Sequence, residues 1–251
     1  WINEDEIAGN NLDDDNDGFV DNIYGADTIN NDGDPMDGGD HGTHCAGTIG
    51  ASANDSAPHV GVAWNVALMA VKCLADAGYG SWTAIMGSVD FAVNNGATVC
   101  NLSLGGTAFS QAFLDIIVAA SDANVILSCA AGNSGSDNDQ LPHYPSSYDN
   151  CISVCAIGCS YTWGNWATYH TSVDLAAPGE NIYSAIIGYD YEAWDGSSMA
   201  SPNAASVMGL VWSYHSTMTN EDIIDIIGEN PLPMGGQYDI NTDYRNSEQM
   251  S

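Results

Sequence analysis

The chain has 251 residues, 45% of them hydrophobic and 14% charged, which suits one domain with a sizeable core. Thirty-three acidic residues face only two basic ones, Lys72 and Arg245, for a net charge of -31. Such a chain is repelled by phosphate backbones and anionic headgroups, which argues against nucleic acid as a partner. No stretch reaches the roughly 18–20 apolar residues of a membrane helix, so no membrane insertion is expected.

Residue 1 opens on Trp-Ile-Asn-Glu-Asp-Glu, without the basic, apolar and cleavage regions of a secretory leader, and is expected to be a processed or truncated end. Residues 1–40 are acidic and rich in Gly and Asn, and they read as loops. Beyond them, apolar strand-like runs alternate with helix-like stretches. Val66–Lys72 precedes a helix over 82–95, and Ala97–Leu102 precedes one over 107–123. Strand-like runs follow at Val125–Ala130, Cys151–Ile157 and Val173–Ala176, then a long helix over 197–215 and a shorter one near 219–228. This alternation predicts an α/β fold: a mainly parallel central sheet with helices on both faces, a three-layer sandwich. With no repeat or linker, we read one domain, with loops at 1–40, an α/β core at 41–230 and a polar tail at 231–251.

The seven cysteines form no Cys-x-x-Cys pair, which argues against a zinc ribbon. Cys100, Cys129, Cys151 and Cys155 lie in apolar runs, where a free thiol acts as a small hydrophobe, so mostly buried thiols are expected rather than a disulfide framework.

Three motifs could carry chemistry. Asp40-His41-Gly42-Thr43-His44-Cys45-Ala46-Gly47 opens a helix with small residues that let another backbone approach, and a His there can serve as general base. A core histidine or a metal pair fits the same residues. Gly196-Ser197-Ser198-Met199-Ala200-Ser201-Pro202 places serines at a helix N-terminus, where the macrodipole favours developing negative charge. Only one of Ser197 and Ser198 can cap, and the other is free for chemistry. Ala130-Ala131-Gly132-Asn133-Ser134-Gly135 follows an apolar run, so Asn133 is either an oxyanion donor or part of a Gly-Asn turn.

In this order the three motifs resemble the subtilisin-like serine peptidases, the subtilases of peptidase family S8, in a thermitase-like form. Further support comes from Ala70–Asp76, Leu102–Gly106, Tyr144–Asn150 and Asp174–Gly179, so the resemblance covers nearly the whole chain. It implies a subtilisin-like fold and serine endopeptidase activity through a Ser-His-Asp triad and an acyl-enzyme. His41 would be the base, Ser198 the nucleophile and Asn133 the side-chain donor to the oxyanion, with His44 structural. Gly78, Tyr79 and Gly80 would form an edge strand, with Ser103, Leu104 and Gly105 on the other side of an extended polypeptide substrate. The primary pocket would lie between Leu104-Gly105 and Ala130, Ala131 and Gly132, and its small walls imply a roomy, mainly apolar slot. An α/β-hydrolase fits neither Ala200 after the serine nor His41 ahead of it in the chain.

The family's triad Asp ends an apolar first strand and precedes Ser/Thr-Gly, and no aspartate of residues 1–40 does so; Asp27-Thr28 continues into Ile29. The first strand and its Asp are therefore expected upstream of residue 1. They would lie on a cleaved segment still bound to the sheet, or on the rest of a longer protein. The alternative is a catalytically impaired module with a structural or binding role in an extracellular assembly. Losing such an Asp costs on the order of 10⁴-fold in turnover.

Asp13, Asp15 and Asp17 alternate, then Gly18 and Asp21 follow, like the front of an EF-hand loop, but Tyr24 stands where its Glu would be. So many carboxylates repel one another without a counter-ion, and a structural Ca2+ is expected. Asp27, Asn30, Asp32 and Asp34, with Asp37, align with a second calcium loop of the family. The resemblance and the calcium loops together imply a secreted, extracellular protein, with its own N-terminal segment or propeptide as a further partner.

Overall fold

The structure is a computed structural model that describes residues 1–160, 162 and 164–229; the tail expected at 231–251 lies outside the described residues. Two layers of helices enclose parallel strands. The first pair is β1 (Gly25–Asp27) with β2 (Ala70–Lys72), parallel and in register from Gly25 opposite Ala70 to Asp27 opposite Lys72. A four-stranded parallel sheet follows, in the order β3 (Val99–Leu102), β4 (Ile126–Ala130), β5 (Ile152–Ile157) and β6 (Leu175–Pro178).

Strand period explains the layering. Successive side chains of β4 point to opposite faces. Leu127 and Cys129 join a core with Ile85 and Val89 of α2 (Trp82–Asn94) and Phe113 and Ile117 of α3 (Gln111–Asp122). Ile126 joins a second core on the other face, with Ala200, Ala204, Met208 and Trp212 of α4 (Ser197–Tyr214) and Ile223 of α5 (Asn220–Glu229). Buried on both faces, β4 and β5 read as continuous apolar runs, as parallel strands do. Ser81 and Ser110 cap α2 and α3 by accepting from the N–H of Ala84 and Phe113, at 3.1 and 3.3 Å.

Two features depart from the expectation. Residues 1–40 contain β1, a strand inside what reads as loop, and residues 182–194 form an antiparallel hairpin of β7 (Ile182–Ile186) and β8 (Asp190–Trp194). The parallel strands also do not make one sheet. β2 spends one edge on β1, with Ala70 N–H donating to Tyr24 and Thr28 N–H to Lys72. Its other edge and the outer edge of β3 have no strand partner among the described residues. A crossover helix ordinarily joins two strands of the same sheet. Here α2 packs on β1 and β2, and its apolar face lies in the same core as β3, so it spans an interruption. All seven cysteines are free thiols; Cys45, Cys129, Cys151 and Cys155 are buried and Cys159 is exposed. No described helix is long and apolar enough to cross a membrane.

Candidate functional site

Of the expected site residues, Ser103, Gly132, Asn133 and Ser198 meet at the carboxyl ends of β3 and β4, where ligands of open parallel sheets bind. Two helix N-termini converge there: α1 (His41–Gly50), which packs on α4 and β7, and α4 itself.

Pro202 organises the start of α4. It has no N–H to give the Ser198 carbonyl four residues earlier. That carbonyl instead accepts from the Ser103 hydroxyl, at 2.8 Å, and from the Cys45 thiol, at 3.4 Å. The missing helical bond thus fastens α4 to the end of β3 and to α1. Deeper in the helix, Ser201 donates to Asn101 Oδ1 at 2.7 Å, while its carbonyl accepts from Ser128 at 3.0 Å.

The two adjacent serines divide their work. Ser197 is buried; its N–H donates to Asn133 Oδ1 at 2.8 Å, and its hydroxyl accepts from Gly132 N–H at 3.0 Å. Ser198 is half-buried, and its hydroxyl donates to the Ser103 carbonyl at 3.3 Å. Ser197 therefore fixes the Ala130–Gly132 segment and leaves the Ser198 hydroxyl at the surface of the cleft. With its oxygen held, Asn133 is exposed and its amide nitrogen has no acceptor among the described residues.

Asp37 caps α1 from outside, accepting from Gly39 N–H (2.8 Å), Thr43 N–H (2.8 Å) and the Thr43 hydroxyl (2.7 Å). Asp40 instead accepts from Ile187 N–H, at 2.9 Å, in the turn of the β7–β8 hairpin. Gly47 sits where a Cβ would strike the Ser184 hydroxyl, so its small size lets β7 approach α1. His44 is fully buried. Its ring lies 4.5 Å from that of Trp194, nearly parallel, with Nε2 3.1 Å from the Glu192 carbonyl and Nδ1 unpartnered. His41 is half-buried, 6.4 Å from the same indole, and its ring has no hydrogen-bond partner among the described residues. Burial pushes its pKa down, the nearby Asp37 carboxylate pulls it up, and His44 pushes it down. Burial also pushes the Cys45 thiol up to about 11, so the thiol beside Ser198 stays protonated.

The expected substrate strands differ from one another. Ser103, Leu104 and Gly105 continue from the end of β3, but Gly78, Tyr79 and Gly80 form an exposed turn rather than a regular strand, closed by Ala75 N–H donating to the Tyr79 carbonyl at 2.9 Å. The space between Gly105 and Ala130–Gly132 is also not a roomy apolar slot. The His143 imidazole stands in it: a Cβ on Gly105 would collide with the ring, and one on Gly132 would lie 3.5 Å from it.

Among the acidic loops, Glu6, Asp13 and Asp15 bring carboxylate oxygens within 4.8 Å of one another. Glu6 was missed because it lies outside the alternating run. It is buried, with one oxygen accepting from Asp14 N–H (2.6 Å) and the other from Asp21 N–H (3.0 Å). Asp17 is tied to this group, its N–H donating to Asp13 and Asp15, both at 3.1 Å. Asp21 faces the other way and accepts from Gly9, Asn10 and Asn11. Asn22 is fully buried; it donates to Asp17 at 2.7 Å, and its oxygen has no donor. Three converging carboxylates are an all-oxygen set suited to a hard cation. The second expected cluster does not converge. Asp27 turns inward to accept from Ile29 and Asn30, while Asp32 and Asp34 accept from Asp34 and Met36 N–H in successive turns.

A family profile described as "Subtilase family" matches residues 3–237. Thermitase of Thermoactinomyces vulgaris is 37% identical over 198 residues, covering 79% of this chain and 70% of thermitase. Subtilisin NAT of Bacillus subtilis subsp. natto is 35% identical over 81% of this chain, which spans 53% of that protein. The halolysin-like extracellular serine protease Nep of Natrialba magadii is 34% identical over 90% of this chain and 41% of its own length. Among solved structures, a cold adapted subtilisin-like serine proteinase superposes with a TM-score of 0.76 at 31% identity, covering 90% of this chain and 79% of that one.

Proposed function

Because the chain belongs to the subtilase family, we propose that it is a serine endopeptidase acting on extended polypeptides through an acyl-enzyme. The observation that carries this reading is the division of labour between Ser197 and Ser198. One serine and Asn133 Oδ1 lock the scaffold, leaving the second hydroxyl and the Asn133 amide facing the cleft.

Ser198 Oγ attacks the scissile carbonyl carbon while His41 takes its proton; His41 then returns that proton to the leaving amine, and water releases the acyl group by the reverse steps. The oxyanion is held by Asn133 Nδ2 and Ser198 N–H at the positive end of α4, as removal of such a donor in related enzymes costs about 10²–10³-fold. The substrate main chain runs between the 78–80 and 103–105 segments, whose backbone groups read it without regard to sequence.

His41 needs an acceptor on its far nitrogen to hold its tautomer. The triad Asp is supplied by a strand preceding Trp1, seated between the unpaired edges of β2 and β3. That position would join the six parallel strands into one sheet and bring the strand's carboxyl end toward α1. The split in the sheet supports this arrangement. Ca2+ held by Glu6, Asp13 and Asp15, with Asp17 and Asn22 beside them, would clamp the N-terminal loops and take no part in acyl transfer. An extracellular site of action fits the relative named extracellular and the match of weak calcium loops to extracellular calcium levels.

Fluorophosphonate labelling of the native protein in calcium, followed by mass mapping, tests the reading. Rapid modification of Ser198, abolished in Ser198→Ala, is the expected result. A folded protein whose Ser198 stays unmodified would instead identify a module with a structural or binding role.

A further inference from the structure

We propose that His143 sets the specificity of the primary pocket, filling it so that the site selects small side chains, such as alanine, over aromatic ones at the residue whose carbonyl is cleaved. The inference rests on the peptidase reading only for which substrate residue enters; the plugged slot itself is a matter of packing.

The cleft beside Ser198 is walled by Ser103–Gly105 from β3 and Ala130–Gly132 from β4. The backbone carries His143 between them. Gly106 and Tyr144 exchange hydrogen bonds, Gly106 N–H to Tyr144 O at 2.9 Å and Tyr144 N–H to Gly106 O at 2.7 Å. Their neighbours Gly105 and His143 are thereby held side by side. The imidazole lies so close to Gly105 that any Cβ there would overlap it, and its other side faces Gly132. An empty slot would tolerate alanine at residue 105; this one requires glycine because the ring has taken the volume.

The ring is also anchored. Its Nδ1 lies 3.3 Å from the Ser146 hydroxyl, which donates to the His143 carbonyl at 2.7 Å. His143 N–H donates to the Ser147 hydroxyl at 3.1 Å. An aromatic substrate side chain would have to expel a hydrogen-bonded imidazole from between two backbones, whereas a methyl fits above it. Differences of one methylene in a pocket already discriminate by roughly 10–200-fold, and a ring-sized conflict reaches at least the lower end of that range.

The test compares succinyl-Ala-Ala-Pro-Ala and succinyl-Ala-Ala-Pro-Phe, as free acids in calorimetric titration and as p-nitroanilides in hydrolysis, on the native protein and on His143→Gly. The native protein is expected to favour the alanine peptide about tenfold or more, and His143→Gly to reverse the order. His143→Asn, which keeps a hydrogen-bonding group in a smaller volume, should fall between and serves if the glycine variant does not fold. The ratio of the two peptides reads the pocket, while a general loss of structure would lower both together. Native binding that favours phenylalanine, an equal preference, no binding of either acid, or a ratio unmoved by both variants would overturn the proposal. Selective binding without hydrolysis and without Ser198 labelling would remove the peptidase reading and leave the pocket assignment standing.

Discussion

His41 illustrates how one side chain takes its properties from neighbours that sequence does not place beside it. Desolvation disfavours its imidazolium, while Asp37, bound to the first turn of its helix, favours it. A general base acts in the neutral form, so the burial that lowers its pKa extends its working range toward acid. NMR titration of the His41 ring in this chain is expected to give a midpoint below the ordinary imidazole value, and a triad carboxylate bound beside the ring would raise it. Asp37→Asn keeps an oxygen for Thr43 N–H but removes the charge, so the midpoint should move lower still. An unchanged or raised midpoint would show that Asp37 does not sense the ring. The places of Ser198 and Asn133 were readable from their motifs, because one opens a helix and the other directly follows a long apolar strand. His143 and Asp37 were not assigned their places because spatial opposition across a bridge and a cap from outside the helix leave no spacing signal.

At the level of elements, the N-terminal loop shows what pattern reading captures and what it loses. Alternating carboxylates at Asp13, Asp15 and Asp17 announce an oxygen-rich turn, but the third converging carboxylate comes from Glu6, brought in by chain folding. At about 4 Å, two like charges near a protein surface repel by about 4 kcal/mol before solvent relaxation, so a cation has much to offset. Excess EDTA should lower Tm substantially. Glu6→Gln should shrink that calcium-dependent increment, as differential scanning calorimetry with and without EDTA would record; the metal-free Tm should fall too, since only one of the two oxygens that accept backbone N–H groups remains. An unchanged Tm on chelation would remove the ion from this loop. The same contrast holds across the fold. Strands β4 and β5 and helices α2, α3 and α4 were legible because long apolar runs mark them, and serine caps open α2 and α3. Strand β1 was not, since its three residues lie among aspartates and its burial comes from contacts distant in the chain. The β7–β8 hairpin escaped for another reason: Tyr183 is exposed, β8 carries Asp190 and Glu192, and neither strand shows the continuous apolar run of the central sheet. Yet the hairpin matters to the site, because Trp194 at its end stacks on His44 and borders His41.

For the whole molecule, the net charge of -31 acts against compactness. Among the described residues only one ion pair forms, Lys72 with Asp76 at 2.7 Å; Asp76 is exposed, so the pair is of small value. Nearly all the remaining carboxylates repel without compensation, which destabilises the compact state while keeping it soluble. Screening relieves this at little cost to the core, since the Debye length falls from about 10 Å at 0.1 M salt to about 3 Å at 1 M. With calcium saturating, sodium chloride should therefore raise Tm by several degrees, most steeply below a few tenths molar, where screening changes fastest. Sucrose acts through exclusion from the surface rather than through charge and should give a shallower rise with no such early steepness. If the two cosolvents gave matching curves, self-repulsion would not be the term that limits stability.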